Sequence, residues 1–180
     1  MLRLDDLSVP GVRVSMMSEI EMDEKSATGL YMSRRFNPRG VQEYPGILKL
    51  AVSKEDDEWL ANVLNQQNLF NQMEERKTKH GVTLVKVPYT AAETFAEGEM
   101  NRFYIRGLCL VALAADPSAE LEIYRAKSVS QPRPESELMI GMTVNAAKLL
   151  ADLRQNPGVD TALGLPPGPN SGLSVRLIRS

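Results

Sequence analysis

The chain has 180 residues, of which 43% are hydrophobic and 24% are charged, and its formal net charge is -2. A chain of this length and composition can bury a sizeable core, which excludes a protein that is disordered throughout. The slightly acidic balance lacks the positive charge with which nucleic-acid-binding proteins attract phosphates, so we expect no nucleic-acid partner.

The single cysteine, Cys109, excludes an internal disulfide and lies in the apolar segment LCLVALA, where we expect it to be buried. The opening residues, MLRLDDLSVPG, are interrupted by charges and do not resemble the apolar part of a secretory signal. No apolar run reaches the length of a membrane span. We therefore expect a protein that is cytosolic where it is made and has no membrane partner.

Residues 11 to 22, GVRVSMMSEIEM, alternate between apolar and polar side chains. Val12, Val14 and Met16 fall on one side, and a period of two predicts a long, half-buried strand. The following residues, 23 to 46, are rich in turn-forming and charged types and predict a loop.

A loop of this length in a compact domain usually has a function. It also carries several apolar side chains that would be unfavourable in water. We expect these to contact a partner, and they are Leu30, Tyr31, Met32 and Phe36.

Residues 47 to 52, ILKLAV, predict a second strand. Ser53 is then expected to cap a helix, because acidic residues follow it and apolar residues recur at helical spacing as far as Phe70. Residues 74 to 80, EERKTKH, predict a charged turn, and residues 82 to 87, VTLVKV, predict a strand.

Thr90 and Glu93 form a capping-box pattern at the start of a helix. The pattern continues to Ala115, although Gly98 and Gly107 weaken it and the segment RFYIRGLCLV could also form a buried strand. The length of the pattern and its Ala-rich end favour the helix.

Residues 120 to 129, ELEIYRAKSV, predict a strand, and residues 130 to 137, SQPRPESE, predict a Pro-rich loop. Asn145 is expected to cap a last helix, because leucines recur at helical spacing after it. The segment QNPG should end that helix.

The segment LGLPPGPNSGLSVRL, residues 163 to 177, lacks the lysine and the following helix of a phosphate-binding loop. Its prolines fix φ and remove backbone donors, which predicts a stiff arm that ends in a strand. We expect the arm to bind a neighbouring subunit, and its candidate interface residues are Pro166, Pro167, Pro169, Asn170, Leu173 and Val175.

These elements predict an α+β fold. Residues 1 to 162 should form a single domain with a mainly antiparallel or rolled sheet, two to three helices and a long N-terminal loop. Residues 163 to 180 should form a Pro/Gly-rich arm with its terminal strand.

No residue pattern predicts a catalytic site, a cofactor or a metal. The one histidine, His80, lies in a charged turn, and Cys109 lacks the surroundings of a nucleophile. One His and one Cys do not provide the spacing of a zinc site. We therefore do not expect an enzyme.

The N-terminal half contains the segments LRLDDLSVPG, VRVSMMSEIEM and PGILKLAVSKEDDEWLANVLNQQN. In this order they resemble the small baseplate or tail proteins of contractile-tailed bacteriophages. The resemblance implies a structural virion protein that is made in the host cytoplasm and located in the tail. Its partners would be copies of itself and tail tube, sheath or baseplate proteins.

Two other functions remain open at this point. A small hydrolase or nuclease that uses carboxylates would need a concave pocket with converging, perturbed acids. A soluble adaptor that binds peptides by strand addition would need an unpaired sheet edge.

Overall fold

The computed structural model describes residues 1–79, 81–157 and 171–179. The fold is α+β, as predicted, and the described residues form six helices and two small antiparallel sheets. The helices are α1 (Val12–Lys25), α2 (Pro38–Lys54), α3 (Asp57–Gln66), α4 (Ala91–Ala115), α5 (Pro134–Met139) and α6 (Ala146–Gln155). The strands are β1 (Met73–Thr78), β2 (Gly81–Lys86), β3 (Glu120–Arg125), β4 (Thr143–Asn145) and β5 (Leu173–Leu177).

Helix α4 lies at the centre of the fold, where α1, α3, α6 and β5 contact it. Its 25 residues include Met100, Phe103 and Leu108, which are completely buried. A helix that is covered on several sides needs apolar residues around most of its surface, which explains its continuous apolar run. The predicted helix is therefore confirmed, and the alternative of a buried strand is wrong.

The larger sheet has the order β4-β3-β5 and is antiparallel throughout. Leu121 lies opposite Val144 of β4, and Ile123 lies opposite Val175 of β5. Two predicted strands are confirmed in this sheet. They are β3, which ends at Arg125 and not at residue 129, and the terminal strand β5.

The predicted strand over residues 11 to 22 is wrong, because this segment forms α1. Its buried side chains recur at helical spacing, and they are Val12, Met16, Glu19 and Ile20. One of these four is a carboxylate that pairs with Arg106 in the interior. A pattern that counts only apolar residues therefore misses the helical spacing of these four buried positions.

The predicted strand over residues 47 to 52 is also wrong, because these residues belong to α2. Asn37 begins this helix, since its Oδ1 accepts a hydrogen bond from the Gly40 N–H at 2.8 Å. Pro45 lies inside the helix, where a proline usually signals a break. The loop predicted over residues 23 to 46 therefore shrinks to residues 26–37.

Helix α3 starts later than predicted. Its cap is Asp56, whose Oδ1 accepts from the Trp59 N–H at 2.8 Å, whereas Ser53 still belongs to α2. Asn145 caps α6 as predicted, accepting from the Lys148 N–H at 3.0 Å.

Two short segments that were predicted as a turn and a loop form regular secondary structure. The charged residues predicted to form a turn mostly form β1, because pairing with β2 imposes the strand on a sequence of low β propensity. Part of the predicted Pro-rich loop forms α5, whose Pro134 occupies the first turn. With these changes the prediction of two to three helices is too low.

Candidate interaction surface

Strands β1 and β2 form a hairpin, and no other helix or strand in the described residues packs broadly across it. The strands pair from Met73 opposite Lys86 to Thr78 opposite Gly81. Only Glu74 and Val85 are half-buried, and every other residue of the two strands is exposed. The hairpin is therefore a two-stranded sheet that faces solvent.

One face of the hairpin combines apolar and charged side chains. Because side chains alternate along a strand, this face holds Met73, Glu75, Lys77, Val82, Leu84 and Lys86. Its apolar members Met73, Val82 and Leu84 are 40%, 58% and 64% exposed. We call these three residues the apolar strip.

The hairpin is held at its base by Arg35, which lies in the loop between α1 and α2. Arg35 Nε donates to Glu74 Oε2 at 2.6 Å, and Nη2 donates to Oε1 at 3.0 Å. This pairing lowers the pKa of Glu74. The Asn71 N–H also donates to the Arg35 carbonyl oxygen at 2.7 Å. The loop therefore fixes the point at which the hairpin leaves the body of the protein.

The two long edges of the hairpin differ in chemistry. Hydrogen-bonded and non-bonded pairs alternate in an antiparallel ladder. The Val87 N–H donates to the Gln72 carbonyl oxygen, so this pair is a hydrogen-bonded one. Counting along the ladder from it, Val82 and Leu84 fall in non-bonded pairs, and their backbone groups therefore point outward on the β2 edge. The β1 edge carries Glu75 and Lys77 at the corresponding positions.

The loop residues predicted to contact a partner lie in or against the protein's own core. Leu30 and Phe36 are each 6% exposed, while Tyr31 and Met32 are half-buried. The Phe36 ring centroid lies 5.1 Å from that of Tyr44. The interface role of these four residues stays a prediction, and in this conformation Leu30 and Phe36 present almost no surface to a partner.

The predicted arm is only partly described. Pro166, Pro167, Pro169 and Asn170 lie outside the described residues, so their interface role stays a prediction. Leu173 and Val175 are completely buried in β5, which pairs with β3 of the same chain. These two side chains therefore contribute to the core and present no surface to a neighbour.

The outer edge of β5 is closed by side chains of the same protein. Asn101 Nδ2 donates to the Leu173 carbonyl oxygen at 2.7 Å, and the Tyr104 hydroxyl donates to the Val175 carbonyl oxygen at 3.0 Å. The Leu177 N–H donates to Asp6 Oδ2 at 2.6 Å. A partner strand would have to displace these bonds, so the β2 edge is the more accessible one.

A cluster of charges that includes the buried Glu19 and Arg106 joins α1, α4 and α6. Arg106 Nε donates to Glu19 Oε2 at 2.7 Å, and its terminal nitrogens donate to the Asp23 carboxylate at 2.7 Å. Arg154 Nε also donates to Glu19 Oε2, at 3.0 Å. Burial raises the pKa of Glu19, but Arg154 and Arg106 outweigh burial and the net pKa is lowered. The paired charges hold the helices together.

A second buried carboxylate, Glu99, accepts from the Tyr44 hydroxyl at 3.0 Å and from Arg102. Burial raises the pKa of Glu99, as it does that of Tyr44. A raised pKa suits a general acid. Glu99 is only 3% exposed and both neighbours cover it, so a substrate cannot reach it in this conformation.

A cavity of about 370 Å³ lies beside α3, and its lining includes Asp57, Glu58 and Glu93. Burial raises the pKa of Asp57, a property that many catalytic carboxylates share. Both oxygens of this carboxylate, however, accept from the Leu2 N–H, at 3.2 and 3.0 Å. Asp57 therefore anchors the backbone at Leu2.

The described residues include no group of three or more His, Cys, Asp or Glu that could hold a metal ion. Cys109 is completely buried, and burial raises its pKa to about 12. It is therefore a thiol at neutral pH and a poor nucleophile. His80 lies outside the described residues.

Sequence reasoning missed the hairpin as a site, although it predicted the strand that contains Val82 and Leu84. The missed signal was the pairing of this strand with β1, most of whose residues belong to the charged turn predicted over residues 74 to 80. A predicted strand directly after a charged segment of similar length could have indicated an exposed hairpin.

No family model, no curated protein and no solved structure matches the chain. Within the described residues, none of the helices combines the length and apolarity that a membrane crossing requires.

Proposed function

We propose that the protein is a structural assembly subunit that binds other protein chains through the β1–β2 hairpin. The observation that carries this proposal is the exposure of the apolar strip on a sheet of only two strands. An isolated two-stranded hairpin is marginally stable in water. A partner that covers the strip or extends the sheet would stabilise it.

The surface next to the hairpin supports the same proposal. Tyr89, three residues after β2, is 93% exposed. Tyrosine is enriched in protein interfaces because its ring is apolar and its hydroxyl can bind water or a polar partner. Tyr89 therefore adds an exposed ring-bearing residue, close in sequence to the apolar strip, that suits protein binding.

The resemblance to phage tail proteins suggests where the assembly would occur. Its partners would then be copies of the protein and components of the tail tube, sheath or baseplate. Two predicted strands in the resembling segments are helices in the structure, so the proposal depends on the hairpin more than on that pattern.

The test is quantitative mass spectrometry of purified tail particles, comparing wild type with the double variant Val82→Lys, Leu84→Lys. We expect wild type at a fixed ratio to the tube protein and the hairpin variant at a much lower ratio. Val14→Lys is the matched control, because Val14 is an exposed apolar residue on α1. Absence of the wild-type protein from intact particles would overturn the tail assignment. Equal incorporation of the hairpin variant would overturn the role of the hairpin.

A further inference from the structure

From Gly81 to Val85, the β2 edge lacks the features that normally protect an exposed edge strand. Proteins commonly protect such edges with charged side chains, prolines or bulges. β2 has the sequence GVTLVK, so its residues from Gly81 to Val85 include no charge and no proline. It pairs with β1 without a bulge. The β1 edge, by contrast, carries Glu75 and Lys77.

The backbone groups needed for strand addition are available on this edge. Val82 and Leu84 direct their N–H and C=O groups away from β1, as the alternation of the ladder requires. No hydrogen bond from another described residue occupies them. An added antiparallel strand could therefore pair with both residues without disturbing the hairpin.

The sequence of β2 is complementary to itself in this arrangement. In an antiparallel pair related by a two-fold axis at Thr83, Val82 of each chain lies opposite Leu84 of the other. Thr83 lies opposite Thr83, and Gly81 lies opposite Val85. The first two pairings join apolar or β-branched side chains, and none of the three opposes like charges. They also use the outward-facing groups of Val82 and Leu84.

We propose that β2 pairs antiparallel with β2 of a second copy of this chain, with the two-fold axis at Thr83. The inference rests on the proposed assembly function and names its partner. Pairing converts two isolated hairpins into one sheet with the order β1-β2-β2-β1. Four strands exceed the minimum of about three that an independently stable sheet requires. The apolar strips of both chains then lie on one face of the sheet.

The first experiment measures the mass of the full chain over a range of concentrations by sedimentation equilibrium. We expect wild type to approach twice the monomer mass as the concentration rises. Leu84→Lys should remain monomeric, because it places a charge opposite Val82 of the other chain. Val14→Lys, which also replaces an exposed apolar side chain by lysine but lies away from the hairpin, should dimerise like wild type. A wild-type chain that is monomeric throughout, or a Leu84→Lys variant that dimerises equally well, would overturn the inference.

The second experiment tests the register by disulfide formation. Thr83→Cys places two thiols opposite each other at a non-hydrogen-bonded pair, where Cα atoms are about 4.5 Å apart and within disulfide range. We expect a covalent dimer after mild oxidation. Arg76→Cys is the control, because Arg76 pairs with Thr83 across the hairpin but lies on the other strand. Equal cross-linking of both variants would contradict the β2 register.

Failure of this inference can be distinguished from failure of the proposed function. If the chain stays monomeric but the hairpin variant is lost from particles, the hairpin binds a different chain. That result would overturn the second copy as its partner and leave the assembly function standing. If the variant also enters particles at wild-type ratio, the proposed function fails too.

Discussion

At the scale of single residues, Gly107 determines how closely α1 and α4 approach. A Cβ at this position would lie 2.7 Å from Met16 Cγ and 2.9 Å from the Val12 carbonyl oxygen. The second distance involves backbone, which cannot move without shifting α1. Gly98 lies on the same helix, and a Cβ there would meet nothing within 4 Å.

We therefore predict opposite effects of the same substitution in α4. Gly107→Ala should lower the free energy of unfolding by about 1–3 kcal/mol through overpacking. Gly98→Ala should raise it by about 0.5–1 kcal/mol, because alanine favours a helix over glycine. Urea unfolding of the two variants measures both effects. A Gly107→Ala variant as stable as Gly98→Ala would contradict the close approach of the helices.

Arg106 illustrates that losing a buried charge costs more stability than losing an exposed one. Its side chain is completely buried between Glu19 and Asp23. Arg106→Met should leave Asp23 without its guanidinium partner and the buried Glu19 with Arg154 alone, and lower the free energy of unfolding by about 3–5 kcal/mol. The exposed pair Arg39–Glu43 is the control, and Arg39→Met should cause no measurable change. Equal unfolding midpoints for the two variants would contradict this account.

At the scale of elements, the residues that cap the helices are not always the ones that the sequence predicts. Thr90 belongs to a capping-box pattern, yet its side chain makes no cap hydrogen bond at α4. Ser53 was the expected cap of α3 and Asp56 only one of the acidic residues after it, yet Asp56 caps the helix. Several residues near a helix start can serve as cap, and the chain geometry selects one of them.

Alanine substitutions should reveal this selection. Asp56→Ala should lower the free energy of unfolding by about 1 kcal/mol, because the Trp59 N–H loses its acceptor. Asn145→Ala should have a similar effect at α6. Thr90→Ala should be close to neutral. Chemical denaturation of the three variants measures their relative stabilities. The predicted order would be wrong if Thr90→Ala were the most destabilising.

At the scale of the whole molecule, the charge cluster around the buried Glu19 makes stability depend on pH. Glu19 has a lowered pKa because its guanidinium partners outweigh burial. A carboxylate with a folded pKa below its unfolded value stabilises the fold above that value. The stabilisation is lost as the pH falls through the folded pKa. Acid should therefore weaken the contacts of α1 with α4 and α6 together.

We expect Glu19→Gln to reduce the loss of stability on acidification. At pH 7 the variant should be less stable than wild type, because the charge that pairs with Arg106 and Arg154 is absent. The difference between the two proteins should narrow as the pH falls below the ordinary glutamate pKa of 4.5. Urea unfolding at several pH values measures this, with the exposed Glu21→Gln as control. A constant difference at all pH values would exclude Glu19 as a contributor.

The sequence by itself determined the α+β class, the central helix α4, the strands β2, β3 and β5, and the capped start of α6. These elements have long or clear periodic patterns, and local chemistry is enough to specify them. The sequence could not show that residues 11 to 22 are helical, because one buried position is Glu19, which is stable there only beside Arg106. That partner is 87 residues away in the chain.

Only the tertiary structure decided which apolar residues remain exposed. Leu30, Phe36, Leu173 and Val175 seemed suited to an interface, but they are buried by contacts distant in sequence. Val82 and Leu84 seemed to be ordinary strand residues, but they are exposed because little of the rest of the protein packs on the hairpin. Where the local pattern is long and clear, it predicts whether a residue lies on a helix or a strand. Its burial depends on what the rest of the chain brings against it, and this is why the candidate surface emerged only from the fold.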